Sequence, residues 1–467
     1  MTTSKLRNGW SLFKQALAGD SDINYTEGSI ARVTILLAIP MILEMAMESV
    51  FAIVDIFFVA SLGTDAVATV GLTEAVITLL YAIAIGLAMG ATAMVSRRIG
   101  EKDPERASEA AGQVIWIGVF VSVIVGAIGI IFARDILLLM GASESVVATG
   151  VNYTRIMFGG CFSIVFLFLI NAIFRGAGDA TIAMRALWLA NGINIVLDPC
   201  FIFGWGPFPE LGVTGAAVAT NIGRTIGFLY GLYHLIGGRG RLQLHLATMG
   251  LRIRVLWSLV RISLGGMAQF LVATASWVFL MSIVSGFGSA AVAGYTIAVR
   301  VVMFAILPAW GLSNAAATLV GQNLGAGLPE RAETTTWKIA QYNALYMGLV
   351  MLLLLLLTRP IIAFFSQELE VIEYAVQCLR IFAYSLVLWG YGMAVIQAFN
   401  GAGDTMTPTW INIFCFWIVQ VPLAYTLALG LGFGPLGVFW AVFVSDVLAG
   451  IVGVAFFIRG KWKLREV

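Results

Sequence analysis

Long apolar runs, separated by short polar or glycine-containing breaks, recur from one end of the chain to the other; VIWIGVFVSVIVGAIGIIFA and YNALYMGLVMLLLLLLT are two of them. A helix needs about 20 such residues to cross a hydrocarbon core of roughly 30 Å. Reading from break to break predicts about twelve helices, at 33–60, 66–96, 108–132, 148–174, 180–203, 213–236, 256–285, 291–322, 334–358, 371–399, 406–430 and 433–458. The pattern is that of an all-α polytopic membrane protein. The polar N-terminal stretch lacks the order of a cleavable signal peptide. Its Trp10, Leu12, Phe13 and Leu17, set alongside Lys5, Arg7 and Lys14, predict a helix lying at the membrane interface.

Composition agrees. Of the 467 residues, 60% are hydrophobic and 11% charged, where a soluble chain carries about 25% charged residues. Too little charge remains to solvate a water-facing domain. The formal net charge of +2 points to no partner and gives no reason to expect nucleic acid. Cys161, Cys200, Cys378 and Cys415 fall in or near apolar runs without paired spacing, so they read as packing residues rather than disulfide or metal ligands.

Cations gather in alternate connections: Arg97, Arg98, Lys102 and Arg106; Arg175; Arg239, Arg241, Arg252 and Arg254; Arg331 and Lys338; then the tail RGKWKLREV. The intervening loops offer Arg134 and Arg359. The positive-inside rule places both termini in the cytoplasm.

The chain also repeats itself. GTDAVAT at Gly63 matches GSAAVAG at Gly288, GEKDPERA at Gly100 matches GAGLPERA at Gly325, and FRGAGD ending at Asp179 matches FNGAGD ending at Asp404, each 225 positions apart. Gly215 and Gly437, after the GAGD loops, are 222 apart. Two halves of six helices each enter from the same side, so an axis along the membrane normal relates them, an arrangement found in secondary transporters. The implied divisions are a cytoplasmic segment 1–30, a bundle 31–236, a basic linker 237–255, a second bundle 256–458 and a tail 459–467.

The 6+6 layout, VDIFFVASLG closing the first helix, both GAGD loops and NIVLDP in the fifth helix resemble the multidrug and toxic compound extrusion (MATE) family over residues 30–458. The resemblance implies a V-shaped pair of bundles and cation-coupled export of organic, often cationic, compounds. It implies a multi-pass monomer in a prokaryotic plasma membrane, surrounded by lipid, with drug-like small molecules as partners.

The residues indicate where coupling chemistry would sit. A charge at the centre of a membrane helix costs about 2.5–3.5 kcal/mol on insertion scales and marks a functional site. Asp55 lies about five residues below the outer end of the first helix, Asp198 at a similar depth in the fifth, and Thr220 six or seven residues into the sixth. At 1.5 Å per residue they share one slab. Asn194 precedes Asp198 by one turn on the same face, with Asn191 alongside. The set Asp55, Asn194, Asp198 and Thr220 could ligate Na+ directly, or carry a proton on an aspartate. The repeat mates are not acidic: Leu280 stands for Asp55, and a residue between Gln420 and Leu423 for Asp198. Resemblance adds that the archaeal and DNA-damage-inducible F-like branches of the family use matching acids, carried over here to Asp55, Asn194, Asp198 and Thr220.

Glu48 and Glu44 share the Asp55 stripe and suggest a polar wall; Glu74 in the second helix could join it. Glu48, Asn191, Glu74 and, from the other half, Arg300 are candidate cavity residues. Pro40, inside the first helix, removes a backbone hydrogen bond and is a candidate hinge. Asp446 near mid-membrane leaves a second site open. His234 and His245 fall at or beyond the end of the sixth helix, which argues against a histidine relay. No GxxxxGK[ST] motif supports ATP use. The expectation is a secondary exporter without cofactors, coupled to H+ or Na+, not an enzyme. A lipid-linked oligosaccharide or polysaccharide flippase is the alternative within the wider superfamily, and its cavity would carry more cations. An intramembrane enzyme is disfavoured, since no HExxH or serine–histidine constellation is present.

Overall fold

The computed structural model describes residues 2–19 and 23–467, and all regular structure among them is helical. An N-terminal helix α1 (Thr2–Ala18) precedes α2 (Ile30–Ala60), α3 (Thr64–Gly100), α4 (Pro104–Ile131), α5 (Ala133–Leu139), α6 (Glu144–Gly159), α7 (Cys161–Ala177), α8 (Ala180–Phe203) and α9 (Val213–Ile236). The second half holds α10 (Ile253–Ser285), α11 (Ser289–Gly325), α12 (Pro329–Phe365), α13 (Leu369–Gly401), α14 (Met406–Asn412), α15 (Val421–Tyr425) and α16 (Pro435–Ile458). Eleven segments are long and apolar enough to cross a membrane. The twelfth, α9, has the length for it but carries Asn221, Arg224 and His234.

Two details depart from the simple periodic reading. The expected span 148–174 is two helices, α6 and α7, divided at Gly160; a Cβ there would collide with the Asn221 side chain. The span 406–430 alternates α14 and α15 with π-helical turns at Ile413–Gln420 and Thr426–Gly430.

The repeated motifs are turns that need positive φ. Gly63 and Gly288, with φ of 98° and 104°, precede α3 and α11. Lys102 (φ 58°) and Gly327 (φ 72°) sit just before Pro104 and Pro329, each placed at the start of its helix, where a proline's missing N–H costs nothing. In the GAGD loops Gly178 and Gly403 take φ of 93° and 81°, and the next amides, Asp179 and Asp404, close back on Phe174 and Phe399. Each loop aspartate then anchors the basic segment after its own sixth helix: Asp179 pairs with Arg241 at 3.4 Å and Asp404 with Arg465 at 3.2 Å.

One buried core runs from Val59 to Ile262 and another from Leu280 to Val442. The first core takes in Leu259 and Ile262 from the start of α10. A third cluster joins Val33, Leu37 and Met41 of α2 to Leu312, Ala316 and Leu319 of α11. The first helix of each half thus crosses to the other half. Glycines permit it: a Cβ on Gly86 would stand 2.6 Å from Met267 N, and one on Gly311, its mate, 2.5 Å from Met41 O. Nearer the helix ends, Gly100 lies against Gln322 O and Gly325 against Arg97 O, the same contact reflected through the repeat.

These close approaches all fall within the last 15 or so residues of α3 and α11, the end that carries Arg97 and Arg98. Around Gly71, towards the other end of α3, nothing lies within 4 Å of a built Cβ. The halves meet at the basic end and part towards the other, giving the V. Both chain ends pack there as well. Arg331 donates to Glu27 O and Gly28 O, Arg97 to Arg465 O, and Arg98 to Val467 O. Lys463 bridges Glu333 and Glu330, whose hydrogen bonds hold its ammonium above the ordinary lysine range.

Candidate functional site

The faces of α2, α3, α7, α8 and α9 that look into the V carry nearly all of its charge. On α8, fully buried Asp198 follows Asn194 by one turn. The Asn194 amide is shared between Asp198 Oδ1 (3.3 Å) and Thr220 Oγ1 of α9 (3.0 Å). That leaves two buried oxygens, Asp198 Oδ2 and Asn194 Oδ1, without a partner among the described residues. Asp55 on α2 is half-buried and close enough to Asp198 for their charges to repel; it makes no hydrogen bond or ion pair among the described residues. The sequence-derived set of Asp55, Asn194, Asp198 and Thr220 therefore sits in one neighbourhood, with two buried hard oxygens unsatisfied among the described residues. Such oxygens suit a small cation or a proton.

Thr220 is the least conspicuous member of the set. Thr220→Val removes the nearer of the two acceptors of the Asn194 amide and is expected to cost about 1–3 kcal/mol of stability, while Thr220→Ser retains it; thermal unfolding of the purified variants distinguishes the two.

One residue of this site was not read from the sequence. Arg224, one turn beyond Thr220 on α9, is 6% exposed. It donates to the Tyr81 hydroxyl at 3.0 Å and lies over the rings of Phe51 and Tyr81. Its charge acts on Asp55, Glu74 and Glu48, so it is the internal counter-ion of the acidic wall. A lone arginine in the sixth apolar run was the available signal.

Below this level the halves enclose a cavity with about 1180 Å3 of space, its mouth included. Glu48, which accepts from Asn191 at 3.0 Å, lines it with Met45, Met89 and Phe168. Opposite stand Trp310, Asn314, Gln397 and Asn400, a carboxamide chain in which Asn400 donates to Gln397 and Gln397 to Asn314. Asn191 is buried behind Glu48 rather than on the cavity surface. Glu74 is exposed on α3, outside the cavity lining but within reach of the Asp55 charge. Arg300 is exposed on α11, is not part of the cavity wall and forms no ion pair among the described residues. Pro40 is buried within the continuous helix α2.

The cavity floor holds a second surprise. Arg175, counted in sequence as a loop cation, lies in the last turn of α7 and pairs with Glu44 of α2 at 2.6 Å, with Asn171 donating to the same carboxylate oxygen at 3.1 Å. Glu44 is 1% exposed. The other half reaches the same turn: Thr318 donates to Arg175 O and Gln322 to Gly176 O, both at 3.0 Å. Carbonyls left over at the end of α7 thereby tie α11 to the floor.

A helical pair of bundles around a two-sided, largely apolar cavity set with a few charged and carboxamide side chains defines the class, a polytopic membrane transporter. The MatE family model matches the chain twice, at residues 40–200 and 266–426, and the chain belongs to the MATE family of transporters. Its relatives include the "Probable multidrug resistance protein YoeA" of Bacillus subtilis, 28% identical over 94% of this chain and 96% of that protein. The "Probable multidrug resistance protein NorM" of Thermotoga maritima is 26% identical over 98% and 97%, and the "FAD transporter" of Shewanella oneidensis 26% identical over 90% and 93%. Among solved structures, one described as the outward-facing conformation of a multidrug resistance MATE family transporter superposes with a TM-score of 0.89 at 28% identity, covering 95% of this chain and 98% of that one. The chain is an integral multi-pass membrane protein of a family of transporters, not enzymes, with multidrug efflux proteins among its relatives.

Proposed function

We propose that this protein is a secondary active exporter of organic cations, driven by H+ or Na+ entering at Asp55, Asn194, Asp198 and Thr220 and working by alternating access. The observation that carries the reading is the pair of buried, partnerless oxygens on Asp198 and Asn194, within range of the Asp55 charge. Charge bookkeeping supports a cationic substrate. Glu44 and Arg175 cancel, which leaves Glu48, Asp55, Asp198 and Glu74 against Arg224 alone. That acidic excess is unfavourable for the phosphates that the name of the Shewanella relative would suggest, and equally for a pyrophosphate-linked lipid. With the basic end in the cytoplasm, the V opens outward, and Pro40 lies on the cytoplasmic side of the acids as the place where α2 can bend. A monomer in lipid suffices, since the site is complete within one chain. The branch of the family that relies on N-terminal aspartates is the one this arrangement resembles.

A ligand shifts an equilibrium only by binding one state better than another. Cation and drug must therefore favour opposite states. The test is uptake of a fluorescent organic cation into proteoliposomes under a pH gradient alone and then a sodium gradient alone. Uptake under one of the two identifies the coupling ion; uptake that is indifferent to both gradients contradicts the proposal.

A further inference from the structure

The helices α9 and α16 are both 24 residues long and begin 222 positions apart. Each is introduced by a glycine of nearly the same unusual conformation, Gly212 at φ 57°, ψ −137° and Gly434 at φ 60°, ψ −145°. The correspondence of positions within them is therefore fixed by structure. The mate of Arg224 is Asp446, and in the preceding helix Gln420 answers to Asn194, because Leu427 O and Ala428 O accept from Phe433 N and Gly434 N as Phe201 O and Ile202 O accept from Leu211 N and Gly212 N. The fold's two equivalent sites carry opposite charge: a buried arginine among acids in the first half, a single aspartate among neutral oxygens in the second.

The surroundings of Asp446 are built around it. Ser385 of α13 donates to Asp446 Oδ2 at 3.2 Å. The next residue back, Ser445, accepts from the Gln420 amide at 2.6 Å, which places the Gln420 carboxamide at the same level. Its Oε1 is buried and has no partner among the described residues, and Gln420 itself is 3% exposed. The Tyr295 hydroxyl of α11, in a side chain 1% exposed, is likewise unpartnered and within electrostatic range of Asp446. The titratable neighbours from the packed elements are Tyr295 and Cys415, with Cys378 beside Tyr295, none of them a cation. Among the described residues no arginine, lysine or histidine pairs with Asp446. A charge inside a membrane bundle is normally paired, and here the partner is missing.

We infer that Asp446, Ser385 and Gln420 form a second binding site for a single positive charge, a proton or Na+, in the C-terminal bundle. A proton would sit on Asp446; Na+ would take Asp446, the Ser385 hydroxyl and the free Gln420 oxygen as hard ligands. The site gives the exporter a second ion per cycle, and only that consequence rests on the proposed function. Binding itself does not.

The test uses full-length protein and infrared difference spectra between acidic and alkaline pH, in sodium and in choline chloride. The starting point is Asp55→Asn/Asp198→Asn, with Asp446→Asn added to it. A protonated-carboxyl band that survives in the double variant and vanishes in the triple supports the site. Suppression of that band by sodium assigns Na+, and indifference to sodium assigns the proton. Ser385→Ala, which removes the hydrogen bond without removing the carboxyl, is expected to shift the band. Coincident spectra for double and triple variants, or a band that Ser385→Ala leaves in place, would overturn the inference. Transport by Asp55→Asn and Asp198→Asn, measured separately, reports on the first-half site whatever the infrared result.

Discussion

Asp198→Asn is expected to abolish gradient-driven export while leaving substrate exchange across the same liposome membrane near the wild-type rate. The two assays part company because they ask different things of the protein. Exchange needs only a cavity that binds substrate and a pair of bundles that can change places. Net export needs the ion to favour the state that substrate does not, and turning a 1:99 population into 99:1 takes about 5.5 kcal/mol of differential binding. Asp198 Oδ2 is the buried, unpartnered charge available to supply it. Asparagine keeps the volume, and with it the hydrogen bond between Asn194 and Thr220, but cannot exchange a positive charge. Retention of full driven export by Asp198→Asn would move the coupling site elsewhere.

The second large effect is on stability. Arg175→Asn is expected to lower the unfolding free energy by about 3–5 kcal/mol, because it strands Glu44 as an uncompensated charge at the bottom of the cavity. Adding Glu44→Gln is expected to recover most of that loss. The repeat supplies the reason: 225 positions on, Gln269 and Asn400 occupy the places of Glu44 and Arg175, so the same fold already tolerates two uncharged amides there. A double-mutant cycle by thermal unfolding measures it. An additive double variant, losing the sum of the single effects, would show that the two side chains do not act as a pair.

Much of the architecture was legible because it is written as period and punctuation. The twelve predicted runs correspond to eleven segments apolar enough to cross a membrane and to α9, and the three repeated motifs turn out to be positive-φ turns, which sequence matching finds easily since glycine or its substitute must stand there. The grouping of the residues proposed for coupling was legible for a similar reason: Asp55, Asn194, Asp198 and Thr220 are rare polar letters at one depth. What stayed hidden depended on contacts between distant helices. Arg175 looks like a loop cation until Glu44 is seen beside it. Arg224 has no local signature beyond its own charge. The π-helical turns between Ile413 and Gly430 leave no mark on apolar periodicity. Arg300 was assigned to the cavity on depth alone, but depth does not fix which way a side chain faces, and it stands exposed.

On the proposed function, substrate and coupling ion compete through the acids of the first half. The most direct measurement is the release of positive charge when a tight-binding organic cation is added to the purified protein, read as acidification of a weakly buffered solution or as displaced radioactive sodium. Release is expected from the wild type and is expected to be lost in Asp55→Asn/Asp198→Asn. Undiminished release from that double variant, or none from the wild type under either readout, would contradict it.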